Sequence, residues 1–340
     1  MDRNTFAALY IAGDFSRSEF DSIRAFSDVE SILRTRPDFI SPAKHQKLVS
    51  RYQEAVEQLN DNSQFITLLD DDYPPLLRAI TSAPPVLFFK GDISLLNTLP
   101  AISVVGSRKA DAYGRNTARS FSRRLAEAGL LIVSGLAMGI DSEAHRGAIE
   151  AGGKTIAVMG CGVDRAYPAS NLKLYQEIAE KGCLLSEFPS GTGPARHHFP
   201  RRNRIIAGLS RAVLVIQATI DSGSLITARF AAEYGRDVYA IPGDIIRRNA
   251  AGPNWLLKNG AKVVTEIDDV LEEFPEVISS SKALDDDLDS VALKILADGP
   301  LDFSQLLVLS GLSREELFVE LTNLQLVGKV RESSGIWQKC

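Results

Sequence analysis

The chain is poor in cysteine, histidine, methionine and tryptophan, with 3, 4, 3 and 2 of them among 340 residues. Cys161, Cys183 and Cys340 cannot build a disulfide framework, and no Cys-x-x-Cys pair offers zinc spacing. A small buried or terminal residue would serve at each position. No apolar run reaches the roughly 18–20 residues that cross a bilayer. The opening MDRNTFAALY lacks the longer apolar stretch and small-residue cleavage site of a signal peptide. A cytoplasmic protein with no membrane partner is therefore expected. Positive charge is not in excess either, since 38 Lys and Arg against 43 Asp and Glu give a formal net charge of −5. That balance excludes a polycation that binds nucleic acid through bulk charge, but not a local anion site.

Locally, it is negative charge that goes missing. No acidic residue falls between Phe188 and Ile220, whereas Arg196, Arg201, Arg202, Arg204 and Arg211 all do. From Ala101 to Ala126, six cations face only Asp111, and Glu266–Asp289 reverses the pattern with ten acids and one lysine. The densest cationic stretch, FPRRNRIIAGLSR over 199–211, also carries an aromatic residue and an apolar turn.

Residues 1–65 are poor in glycine and carry short amphipathic patterns such as DVESILRT and HQKLVSRYQEAVEQL, which predict a small helical domain of the SAM-like or helix-hairpin-helix-like kind. Over 66–276, continuous apolar runs (AISVVG, LLIVSG, KTIAVMG, CLLSEF, RAVLVIQAT, DVYAIPG, KVVTE) alternate with helical patterns. Strands buried on both faces read in this way, so the fold class is α/β, with a Rossmann-like, doubly wound and mostly parallel sheet. Residues 277–288 read as a linker. Residues 289–340 read as a closing unit of helix, GPLD turn, helix, SGLS turn, helix and hairpin, which is winged-helix-like. Its third helix, SREELFVELTNLQ, holds one arginine against three glutamates, which favours a protein contact or a degenerate role over reading a DNA groove.

In a doubly wound sheet, ligands bind at the carboxyl ends of the strands, and the loops there carry the informative residues. GSRKADAYGR follows the first strand of the sheet and places Arg108 where a guanidinium can grip phosphate. Its glycines stand eight apart and do not form GxGxxG, so no dinucleotide cofactor is expected. SGLAMGIDSEAH has Asp141 and His145 at a metal-compatible spacing, but no third ligand follows, and capping by Asp141 or Ser142 is the expected use. No metal and no catalytic residue are assigned. Gly135, with Ser222, Gly223 and Ser224 of IDSGSLITARF, could form phosphate nests at helix starts; plain capping is equally well supported for the serines. Arg196, Phe199 and the RRNR run, Arg201 and Arg202 included, combine cations with a ring on which a base could stack. Single-stranded nucleic acid is held by this pairing. For Asn203 and Arg204, an internal structural role is at least as well supported as contact with DNA.

The motifs GSR, SGLAMGIDSEAH, MGCGVDRAYP, LLSEFPSGTGP, FPRRNRIIAGLS, DSGSLITARFAAEYGRDVYAIPGD and GPNWLLKNGA, in this order and preceded by YPPLLRAITSAPPVLFFKGD, resemble the DNA-processing protein A family, DprA or Smf. The resemblance implies a non-enzymatic, homodimeric mediator in natural transformation, one that binds and shields incoming single-stranded DNA and helps load the RecA recombinase onto it. Residue by residue, it implies a DNA pocket at Arg108, Arg196 and Phe199, with Ser107 and Arg201 in support. Lysine is frequent in the family where Arg196 stands, and the charge is kept. The alternative is a nucleotide-binding protein or a nucleotide phosphoribohydrolase of the same superfamily. Those enzymes carry PGGxGTxxE; the nearest stretch here, DSGSLITARFAAE, lacks the PGG and the placed glutamate.

Overall fold

The computed structural model describes residues 2–23, 25–26, 28–60, 64–277, 290–297, 299–326, 329–333 and 335–339. The chain divides into two compact units, residues 1–274 and 275–340.

The first unit is built on a nine-stranded sheet: β1 (Phe65–Thr67), β2 (Val86–Gly91), β3 (Ala101–Val105), β4 (Leu131–Ser134), β5 (Thr155–Val158), β6 (Cys183–Ser186), β7 (Ala212–Val215), β8 (Asp237–Ala240) and β9 (Lys262–Val263). The spatial order is β1-β2-β6-β5-β4-β3-β7-β8-β9. Strands β3 to β9 pair in parallel, and β1 and β2 add an antiparallel edge. Each of the seven apolar runs read from the sequence contains one of the parallel strands, and β3 to β7 are buried at every position. The alternation of side chains sends Ala157 and Leu184 into the core on one face. Ile156, Val158, Cys183 and Leu185 go to the core on the other. From β3 the chain winds outward through β4, β5 and β6, then returns to β7 on the opposite side of β3. The β3–β7 border is thus the topological switch point, where a doubly wound sheet opens a crevice at its carboxyl edge.

Helices α1 (Arg3–Gly13), α2 (Arg17–Ile23), α3 (Val29–Arg34) and α4 (Pro42–Asn60) precede the sheet. They are followed by α5 (Pro75–Arg78), α6 (Leu95–Thr98), α7 (Ala112–Glu127), α8 (Ile140–Glu150), α9 (Leu172–Lys181), α10 (His198–Leu209), α11 (Gly223–Glu233) and α12 (Ala251–Lys258). The expected boundary at residue 65 is not a break in packing. Phe6, Leu9, Phe20 and Leu48 belong to the same apolar core as Phe88, Met159, Leu174 and Leu184 of the sheet and its helix. Burying α1 against the sheet removes its apolar face from water, and the helical region and the sheet form one compact unit.

In the second unit, helices Val291–Leu296, Phe303–Ser310 and Arg314–Leu326 pack around Leu293, Leu306, Leu317, Leu321 and Val330. The expected order of three helices and a hairpin is present, with one difference: the GPLD turn supplies β10 (Leu301–Asp302). It joins β11 (Val330–Ser333) and β12 (Ile336–Lys339) in an antiparallel sheet of order β10-β12-β11. Asp302 also starts the second helix through a reciprocal cap with Gln305. Apart from Val277, the expected linker lies outside the described residues, as does Cys340.

Candidate nucleic-acid interface

An open cleft of about 780 Å³ lies at the carboxyl ends of the strands, floored by the β3–β7 border. Loops following β3, β4, β5, β6, β7 and β8 all contribute to its walls. The β3 loop is drawn tight by the Ser107 N–H, which donates to the Gln217 carbonyl at 2.6 Å. Only glycine fits at 106, because a Cβ would come within 2.5 Å of Ile140 and 2.8 Å of the Gln217 oxygen. Ser107 turns its hydroxyl back onto the Lys109 N–H at 3.1 Å and is itself buried, so it shapes the turn. Arg108 and Lys109 are left facing solvent at the cleft mouth.

Beside Arg108, Phe199 in the first turn of α10 is half-buried, with its ring against Gly160. The Arg108 guanidinium lies 5.1 Å from the centre of that ring, and the exposed Tyr167 ring lies 5.5 Å away at an interplanar angle of 33°. Two aromatic planes and a guanidinium thus meet on one wall. Arg196, Arg108, Lys109 and Arg248 are exposed cations on the cleft, and none has an ion pair among the described residues. The single acid in the lining is Asp141, which is buried. Burial raises its pKa, and the nearby Arg202 and the N–H groups of Ala137 and Gly135 counter only part of that rise. Ser222, Gly223 and Ser224 line the opposite wall at the start of α11. Ser222 caps that helix by accepting from the Ser224 N–H at 3.4 Å, and the open space at Gly223 leaves the backbone accessible.

Of the remaining candidates, Gly135, Arg201, Arg202 and Arg204 are not brought to the cleft. Arg202 is 3% exposed and donates to the Val158 carbonyl at 2.9 Å. Its guanidinium fills the space over Gly135, where a Cβ would sit 1.6 Å from its Nη1. Burial lowers its pKa to about 10, even with Asp141 beside it. Gly135 is therefore a packing glycine beneath an arginine, not part of a nest in the cleft. Arg201 is committed to the N-terminal helices: it pairs with Asp14 at 3.1 Å and with Glu187 at 3.1 Å, and donates to the Tyr10 hydroxyl at 3.1 Å. Arg204 meets the same fully buried Glu187 at 2.5 Å. Within one turn of α10, Arg201 and Arg204 thus converge on the buried Glu187, while the charge of Arg202 favours the ionised form of the nearby buried Asp141. Asn203 does both, since it lines the cleft while its amide donates to the Gly223 carbonyl at 3.0 Å.

The expected capping of α8 by Asp141 or Ser142 is replaced by Gly139, with Asp141 inside the first turn and the Ser142 hydroxyl donating to the Ala137 carbonyl. His145 is fully buried. Its Nε2 accepts from the Leu136 N–H at 3.3 Å and its Nδ1–H donates to the Thr155 hydroxyl at 2.6 Å, so both nitrogens are used internally. His198 stacks on Phe188 with ring centres 4.0 Å apart. Sequence reasoning passed over Tyr167, Lys109 and Arg248. The first stands in the glycine turn after β5, and the last in the loop after β8. Their position at a strand's carboxyl end was the available signal.

The family described as DNA recombination-mediator protein A matches residues 64–275, which hold the whole cleft. This chain belongs to that family. The Smf protein of Synechocystis sp. is 45% identical over 216 residues, 63% of this chain and 54% of its own length. The match thus spans about half of that relative. Among solved structures, DNA processing protein A from Streptococcus pneumoniae superposes with a TM-score of 0.69 at 38% identity, covering 79% of this chain and 95% of that one. The same protein from Helicobacter pylori, whose structure is described for its single-stranded DNA binding mode, gives 0.57 at 31%, covering 63% and 97%. The recombination-mediator family and the mostly parallel α/β fold are therefore as the motifs and apolar runs implied.

Proposed function

We propose that the cleft at the β3–β7 border binds single-stranded DNA, and that the protein acts through this site as a recombination mediator. The observation that carries the reading is the wall where Arg108 and Tyr167 meet Phe199, ringed by Arg196, Lys109 and Arg248 without ion pairs. Rings and a guanidinium offer π-faces to any base, and the free cations take phosphates, a combination indifferent to sequence. Bases paired within a duplex cannot reach such a wall, so single strands are preferred. The solved Helicobacter pylori relative, described by its single-stranded DNA binding, supports the same reading.

The test is fluorescence anisotropy with a labelled dT oligomer against a duplex of equal length. Arg108→Ala, Arg196→Ala and Phe199→Ala should each weaken dT binding, the last by about 1–3 kcal/mol if one base stacks there. Undiminished affinity in all three would remove the site. Homodimerisation and assistance to a RecA recombinase belong to the same proposal. Light scattering of the purified chain and strand-exchange assays with RecA test them; a monomer at all concentrations, or no effect on exchange, would refute them.

A further inference from the structure

The loop after β8 carries Ile245 and Ile246, 90% and 86% exposed, the most exposed large apolar side chains among the described residues. They are held out by a fixed turn. Asp244 accepts from the Ile246 N–H at 3.1 Å, and the Arg247 N–H donates to the Asp244 carbonyl at 3.0 Å. One end of the loop is tied by Gly243 and Asn254, which exchange two hydrogen bonds. The other is tied by Asn249, which donates to the Lys109 carbonyl at 3.2 Å. Arg247 spans Asp111 at 3.7 Å and Asp244 at 4.0 Å, so the nearby acids are occupied. The next residue, Arg248, is exposed, lines the cleft and has no ion pair among the described residues, as does Lys109.

The apolar pair shares its loop with Arg248, an exposed cation of the cleft wall, and that combination suits a base with its phosphate and repels a basic peptide. We propose that Ile245 and Ile246 form an apolar landing surface for a nucleobase of the strand as it leaves the cleft, with Arg248 taking the adjoining phosphate. This rests on the reading of the cleft as a single-stranded DNA site and extends it by one nucleotide subsite outside the aromatic wall.

The experiment compares dT6 and dT20 binding by anisotropy for the wild-type chain, an Ile245→Ser/Ile246→Ser variant and Arg108→Ala. The serine pair should weaken dT20 about 3- to 10-fold and change dT6 less than twofold, because only the longer strand reaches the loop. An Ile245→Trp variant should change its emission on addition of dT20 relative to the wild-type chain. If the serine pair leaves dT20 affinity intact while Arg108→Ala lowers it, the landing surface is refuted and the cleft stands. If neither variant loses affinity, the cleft reading itself falls. A serine pair that lowers the oligomeric state in light scattering and leaves dT20 binding unchanged would assign the surface to a second copy and overturn the proposal.

Discussion

Replacing Arg196 and Arg202 separately by glutamine tests how the cationic stretch is divided between scaffold and site. Arg202 is buried and donates to the Val158 carbonyl, and its charge favours the ionised form of the buried Asp141 although no ion pair joins them. Its loss therefore orphans that carbonyl and removes the stronger of two cationic influences on the carboxylate, Arg108 being the other. Breaking a buried pair in direct contact costs about 3–5 kcal/mol. Here Asp141 keeps the N–H groups of Ala137 and Gly135 and can take up a proton, because burial already raises its pKa, which lowers the expectation to about 2–4 kcal/mol. With a urea slope of about 3 kcal/mol per molar, the midpoint should fall by roughly 1 M. Arg196 is exposed and has no partner among the described residues, so its change should stay within about 0.5 kcal/mol. Urea titration followed by circular dichroism, beside dT-oligomer anisotropy at low denaturant, separates the two effects. Arg202→Gln should lose stability, and Arg196→Gln should lose affinity. An Arg202→Gln protein with the wild-type midpoint and weakened DNA binding would refute the division.

Glu187→Gln removes the partner shared by Arg201 and Arg204 and should destabilise the first unit by about 3 kcal/mol in the same titration, with dT affinity within twofold; a stability unchanged to within 0.5 kcal/mol would contradict it. Burial of His145 lowers its pKa from 6.5 to about 3, so the unfolded chain binds the extra proton between those values. Its contribution is then present above about pH 6.5 and lost as pH falls toward 3, with a slope approaching about 1.4 kcal/mol per pH unit. His145→Gln, less stable at pH 7, should show a shallower loss between pH 6.5 and 4.5, and parallel profiles would refute the assignment. If the four unpaired cations each neutralise one phosphate, the log–log salt slope of dT binding should approach about −3, from about −0.7 per phosphate. A slope near zero would mean that they do not touch the backbone.

The sheet was legible because parallel strands buried on both faces must be apolar throughout, and each of the seven such runs contains a strand of the sheet. The edge strand β1 was not, since three residues pairing with β2 leave no periodicity to read. The placement of Arg108 and Phe199 on one cleft followed from strand-end position together with the motifs. Tyr167 and Arg248 also stand past strand ends, yet which residue of each loop reaches the cleft depends on the spatial convergence of the β5 and β8 loops. Along α10 the sequence set Arg204 apart as a structural candidate but could not separate Arg201 and Arg202 from the site. Which of them meet Glu187, and which is buried near Asp141, depends on helical phase against acids that are distant in the chain.

Photo-crosslinking of a dT oligomer bearing 5-iododeoxyuridine, with the attachment sites mapped by mass spectrometry, reads out which residues the strand touches. Crosslinks are expected at Tyr167 and Phe199, suppressed by unlabelled dT oligomer and absent with an equivalent duplex. Crosslinks confined to the unit of residues 275–340, with none on the cleft, would contradict binding at the cleft.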